Sequence, residues 1–157
     1  NPSIIQSPGR MNIIDLGKFK VMVDYGHNSA AVKAISEVFP HLSTEKVINM
    51  ASGTGNRTDD YIMDFGKTLA EVYDYIVVTD TDPRDRYSGE TAELVKKGIL
   101  ETGFPAENVT VELDYKKATN AVLNKAEPGD LVVIQADYFD QVMEIVNAYK
   151  KRLSDKR

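Results

Sequence analysis

Short apolar runs alternate with longer segments whose apolar residues recur at helical spacing, and this alternation repeats along almost the whole chain. Met11 to Leu16 and Phe19 to Asp24 are apolar runs separated by Gly17-Lys18, which reads as a hairpin. Asn28 then offers a helix N-cap, because its side-chain carbonyl can accept a free backbone N–H. Val32, Ile35, Val38 and Phe39 follow at helical spacing, with Pro40 near the end of the segment. Lys46 to Ala51 reads as a buried strand, followed by a helix with Ile62, Phe65, Leu69 and Val72 on one face. Tyr75 to Thr79 is the next strand, and Ser88 is the expected cap of a helix carrying Ala92, Val95 and Ile99. Gly103 and Pro105 stop that helix. Val109 to Leu113 is a strand, and Asp114 caps a helix through Ala118, Ala121 and Val122. After the turn Pro128-Gly129 come a last strand, Leu131 to Gln135, and a last helix, Phe139 to Tyr149. Leu153 to Arg157 is expected to be a frayed charged tail.

Regular alternation of this kind specifies an α/β domain, a mostly parallel sheet with helices on its faces, opened by a short antiparallel hairpin. Right-handed crossovers collect the strand-to-helix loops on one edge of the sheet, outside the carboxyl ends of the strands, where such sheets bind ligands. Four loops are thereby singled out: Asp24 to Asn28, Ser52 to Arg57, Asp80 to Arg86 and Gln135 to Tyr138.

Composition narrows the chemistry. The 157 residues suffice for one domain, and no internal repeat or interdomain linker is visible. Nineteen Lys and Arg against 24 Asp and Glu leave a net charge of −5, unsuited to a nucleic-acid backbone. The lack of cysteine excludes a disulfide framework, a thiolate metal site and a catalytic thiol. The only histidines, His27 and His41, argue against a histidine metal site, and no metal ligands are assigned. No apolar run approaches the ~20 residues needed to span a bilayer, and no signal peptide is visible. No membrane partner and a cytoplasmic location are expected. The chain begins at Asn1, and it is expected to be a piece of something longer.

Within the loops, Asp24-Tyr25-Gly26-His27-Asn28 places an acid at a strand end, then a glycine, a histidine and a helix cap. An ionised carboxylate there could accept hydrogen bonds from a ribose diol, or it could cap a turn. Ser52-Gly53-Thr54-Gly55-Asn56-Arg57 looks like a phosphate-cradling glycine loop, but Thr58 stands where a dinucleotide fingerprint needs its third glycine. A plain tight turn fits it better than a dedicated cofactor site. Gly66-Lys67-Thr68 imitates the end of a nucleotide P-loop, yet Tyr61 replaces the required glycine and the triplet lies in a helix; it is rejected as one. Asp80, Asp82, Arg84, Asp85 and Arg86 crowd one loop stiffened by Pro83. They could recognise a substrate or form solvated surface pairs. Pro8-Gly9-Arg10 could aim a guanidinium at a phosphate.

Taken together, Pro8-Gly9-Arg10, Asp24 to Asn28, Gly53 to Arg57 and Thr79 to Arg84 resemble, in order and spacing, the C-terminal domain of the Mur ligase superfamily. Pro8 to Asn12, Val21 to Tyr25 and Pro128 to Ile134 are similar to the cyanophycin synthetase branch of that superfamily. The resemblance implies a Rossmann-like, three-layer domain over residues 1–157. It implies a mobile part of an ATP-dependent amide ligase, closing over a central ATPase domain of the same parent chain. In such enzymes ATP phosphorylates a substrate carboxylate and an incoming amine attacks the acyl phosphate. In the cyanophycin branch, arginine joins the side-chain carboxylates of a poly-aspartate acceptor. Carried onto this chain, Arg10 approaches the nucleotide phosphates, Asp24 holds the ribose, and His27 and Asn28 flank the nucleotide. Asp82 and Arg84 face the amino acid, with Asn56 and Arg57 as possible loop contacts. ATP and Mg2+ are then the cofactors, held mainly by the central domain, so this domain alone is expected to be inactive. Replacing Arg10 or Asp24 is expected to affect activity and leave stability almost unchanged.

The chain departs from the family pattern at three places. Gly26 and Ser29 stand in the motif Asp-Tyr-Ala-His-Asn-Pro, and Thr81-Asp82-Pro83-Arg84 replaces Asp-Asn-Pro-Arg. Gln135-Ala136-Asp137-Tyr138 replaces a Gly-Lys-Gly-His-Glu-like end. These changes argue against a peptidoglycan substrate, although a cell-wall peptide ligase is the alternative enzyme. Two other classes compete: a free-standing nucleotide-binding module, and a receiver-like domain phosphorylated on Asp80 or Asp82.

Overall fold

The computed structural model describes residues 12–26, 28–42, 44–135 and 137–156. Strand β1 (Asn12–Asp15) and strand β2 (Lys20–Asp24) form the expected antiparallel hairpin, with Asn12 opposite Val23. Gly17 takes φ 91° in its turn, and its N–H donates to Asp15 Oδ1 at 2.7 Å. The other strands are β3 (Val47–Ser52), β4 (Tyr75–Thr79), β5 (Val109–Val111) and β6 (Leu131–Gln135). They alternate with helices α1 (Ser29–Ser36), α2 (Asp59–Val72), α3 (Glu90–Glu101), α4 (Tyr115–Lys125) and α5 (Phe139–Asp155). The sheet order is β1-β2-β6-β3-β4-β5, and every pairing after the hairpin is parallel.

Side chains alternate between two cores. Val47 and Ala51 of β3 join Val32 and Ile35 of α1, Ile62, Phe65 and Leu69 of α2, and Val95 and Ile99 of α3. Ile48 and Met50 of β3 join Val122 and Leu123 of α4 and Val142 and Val146 of α5 on the other face. The chain steps outward from β3 to β4 to β5, then reverses and inserts β6 between β2 and β3. Right-handed crossovers in opposite directions put α2 and α3 on one face and α4 on the other. The domain is therefore the three-layer Rossmann-like sandwich read from the sequence. Its topological switch lies at β6: the neighbours β2 and β3 lead into helices on one face, and β6 leads into α5 on the other.

Local boundaries follow identifiable causes. Asn28 and Asp114 cap α1 and α4 as expected, accepting from Ala31 N at 2.8 Å and from Lys116 N at 2.9 Å. Thr58 caps α2 through Tyr61 N at 3.2 Å. Ser88 does not cap α3. Gly89 does, at φ 94° and without a side chain, and Asp80 Oδ2 accepts its N–H at 2.7 Å from across the loop. Helix α1 stops at Ser36, and Phe39–Leu42 form a 3₁₀ turn around Pro40, which cannot donate to a continuing helix. Strand β5 ends at Val111, short of the expected Leu113. The last helix, expected to end at Tyr149, runs to Asp155 and so takes in the start of the tail expected to fray from Leu153, because Leu153 packs on the second core and Tyr149 meets Phe19 edge-on at 6.2 Å.

The Gly66-Lys67-Thr68 triplet has a structural reason. A Cβ on Gly66 would sit 2.2 Å from the Val95 carbonyl oxygen, and one on Gly98 would sit 2.0 Å from that of Met63. The two glycines let the backbones of α2 and α3 touch.

Candidate functional site

Arg10 and His27 lie outside the described residues. The other expected site residues all fall on the carboxyl edge of the sheet. Asp24 ends β2 and is buried, 8% exposed, with Oδ2 accepting the Gly26 N–H at 2.8 Å. Burial corrects the expectation that replacing Asp24 leaves stability almost unchanged: its replacement will disturb the fold as well as any ligand. A Cβ on Gly26 would lie 2.6 Å from the Ala31 Cβ and 3.0 Å from Asp24 Oδ2. Glycine therefore stands here to let the turn close on the first turn of α1. Tyr25 projects outward, 48% exposed, and Asn28 is exposed at the head of α1.

The glycine loop after β3 is packed against protein. Gly55 N–H donates to the Asp82 carbonyl at 2.8 Å, and a Cβ on Gly55 would lie 2.0 Å from the Pro83 carbonyl oxygen. A donor a phosphate cradle would use is thus already engaged. Asn56 is exposed, and the Arg57 guanidinium lies over the Tyr61 ring at 4.8 Å.

In the loop after β4, Arg84 adopts φ 53°, the one positive value among described non-glycine residues, and its Nε pairs with Asp82 Oδ1. Both side chains reach solvent, Arg84 at 53% exposure. Asp80 faces inward. Burial raises its carboxyl above the ordinary range, Gly89 N–H opposes the shift, and Asp82 and Glu90 add to it.

Arg86 is the residue whose role the sequence did not disclose. Its Nε donates to the Gly55 carbonyl at 3.0 Å, and one terminal nitrogen reaches the Arg57 carbonyl and Asp59 Oδ1, each at 2.8 Å. The other terminal nitrogen pairs with Glu90. One side chain thus fastens the β3 loop to the first turns of α2 and α3. The signal in the sequence is the acids that open those helices, Asp59 and Glu90, with Arg86 between them along the chain.

The end of β6 completes the edge. Gln135 is buried and its Nε2 donates to the Gly26 carbonyl. Asp137 Oδ2 accepts the Thr81 hydroxyl, while Thr81 N–H donates to Ser52 Oγ at 3.1 Å. Tyr138 stacks on Tyr115 at 4.6 Å. A cavity of about 330 Å³ opens between Tyr25, Asp137, Tyr138, Phe139, Asp140 and Gln141. Every loop of the edge is hydrogen-bonded to another, so the edge is one preformed surface. Among the described residues, no group of three or more His, Asp or Glu side chains is placed to hold a metal ion. None of their helices is long and apolar enough to cross a membrane.

Residues 9–137 match the family described as "Mur ligase, glutamate ligase domain". The chain belongs to this family. Among relatives of this Mur ligase domain, the cyanophycin synthetase of Synechocystis sp. is 36% identical over 146 residues. That match covers 92% of this chain and 16% of the relative, so the chain spans a small part of the proteins it matches. A solved UDP-N-acetylmuramoyl-L-alanyl-D-glutamate–2,6-diaminopimelate ligase superposes with a TM-score of 0.74 at 19% identity, covering 94% of this chain and 33% of that one. E. coli FolC in complex with ADP superposes with a TM-score of 0.69 at 20% identity, covering 92% and 33%. These superpositions establish the fold of the Mur ligase domain.

Proposed function

We propose that this Mur ligase domain is the closing C-terminal part of an ATP-dependent carboxylate–amine ligase of the cyanophycin synthetase type. The observation that carries the reading is the 36% identity to a cyanophycin synthetase over 92% of the chain. The placement of Asp24, Asn28, Asp82 and Arg84 on one hydrogen-bonded sheet edge supports it. ATP, when bound, supplies the phosphoryl group that activates a carboxylate for attack by an amine.

The residues fit part of a nucleotide. Asp24 offers a rigid carboxylate at a strand end, Tyr25 an exposed ring, and Asn28 the head of a helix. The triphosphate and its Mg2+ need a cradle from a neighbouring ATPase domain, because Gly55 already spends its N–H on Asp82. In this reading Arg10 reaches toward the phosphates and His27 stands beside the nucleotide. Asp82 holds Arg84 in its left-handed conformation, aiming the guanidinium at the carboxylate of the incoming amino acid. Asn56 and Arg57 border that place. The cationic partner is arginine and the acceptor a poly-aspartate chain.

The test is made on the full-length protein, supplied with ATP, Mg2+, arginine and a poly-aspartate primer. Arginine-dependent phosphate release with arginine entering the polymer is expected. Release that requires a cell-wall peptide and ignores arginine would move the protein to the peptide-ligase branch.

A further inference from the structure

Strand β6 lies between the two halves of the candidate site. The Asp24–Gly26 turn belongs to β2 on one side; β3, and beyond it β4 with the Asp82–Arg84 turn, lie on the other. Groups at the carboxyl end of β6 are therefore placed between the two halves, and two of them each touch one half. Gln135, at 1% exposure, donates to the Gly26 carbonyl within the first turn. Asp137, two residues on, accepts the Thr81 hydroxyl beside the second. Thr81 cannot yield freely, since its N–H is fixed to Ser52 Oγ and the next carbonyl, that of Asp82, is fixed to Gly55 N–H. A hydrogen bond to an ionised carboxylate is stronger and more directional than one between neutral groups. The end of β6 thus meets Gly26 through Gln135 and Thr81 through Asp137, two positions further along the chain.

We propose that Asp137 is a positioning residue that, with Gln135, couples the Asp24–Asn28 turn to the Asp82–Arg84 turn, so that filling one turn sets the geometry of the other. Such coupling is reciprocal, each ligand tightening the other equally. Its consequence for activity rests on the ligase reading above, whereas the coupling itself does not.

Two readouts test it. The first is the backbone amide NMR spectrum of this chain. Thr81→Val removes the hydroxyl at nearly constant shape, Thr81→Ser retains it, and Asp137→Asn removes the charge. Thr102→Val is the control, because among the described residues the Thr102 hydroxyl bonds to the Ile99 carbonyl within its own helix end. Thr81→Val and Asp137→Asn are expected to shift the Gly26 and Asn28 amides, and Thr81→Ser and Thr102→Val to leave them in place. Shifts confined to the neighbours of position 81 or 137 overturn the proposal, and two independent variants guard against misfolding of either. The second readout is steady-state kinetics of the full-length protein. Thr81→Val and Asp137→Asn are each expected to raise the amino-acid KM about tenfold with kcat nearly unchanged, the scale of one charge-assisted hydrogen bond, and Thr81→Ser and Thr102→Val to leave it unchanged. The double variant should do no worse than either single one, as for two ends of one bond. Unchanged KM values in an active enzyme overturn the coupling. A wild-type protein without ATP-dependent amide formation overturns the ligase reading, and the NMR outcome then decides the coupling.

Discussion

A half-buried carboxylate with only one oxygen hydrogen-bonded titrates differently from a surface one, and Asp80 is such a group. Its Oδ2 accepts the Gly89 N–H, while Oδ1 is cut off from solvent with no partner among the described residues. Burial is the largest influence and lifts its pKa above the ordinary value of 3.8. The folded chain therefore holds a proton over a window just above that value where the unfolded chain has lost it. Stability contributed at Asp80 falls as pH rises through this window and stays lower beyond it. Asp80→Asn keeps an acceptor for Gly89 and has no charge to desolvate. The stability of the variant relative to wild type is expected to improve from acid to neutral pH. Paired thermal melts across that range check this, and a difference that is flat with pH would contradict it. The receiver-like alternative loses ground at the same residue, because Asp80 already serves as the remote cap of α3.

At the scale of elements, the α2–α3 contact depends on glycine at two crossing points. Alanine is the better helix former by about 1 kcal/mol, so propensity alone favours Gly98→Ala. The added Cβ, however, would meet the Met63 carbonyl oxygen at 2.0 Å, and backbone cannot rotate aside as a side chain can. The expected net result is a loss of about 2–3 kcal/mol, the range of overpacked interiors, measured by urea unfolding. Unchanged stability would mean that the helices part without cost. Arg86 acts on the same elements from above. By binding the Gly55 and Arg57 carbonyls and the acids Asp59 and Glu90, it joins the first turns of α2 and α3 through carboxylates that themselves suit the positive ends of those helices.

At the scale of the molecule, the carboxyl edge gathers the loops that end β2 and β4 but has committed its glycine loop to packing. This chain mixed alone with ATP, Mg2+ and arginine is expected to release no phosphate above background. Steady release by the chain alone, followed by a coupled phosphate assay, would show that a complete cradle exists within it. The linear sequence determined the alternation of strands and helices, the hairpin, the caps at Asn28 and Asp114, and the four loops where chemistry could gather. Those features depend on residues close together along the chain, through periodicity and short-range hydrogen bonds. Tertiary structure alone decided that β6 returns between β2 and β3, and with it that Gln135 meets Gly26 and Asp137 meets Thr81. It also decided that Gly66 serves a helix crossing, that Asp80 rather than Ser88 secures α3, and that Leu153 continues a helix. Each of these contacts joins residues whose separation in sequence carries no local signal, and only the order of strands in the folded sheet sets which of them become neighbours.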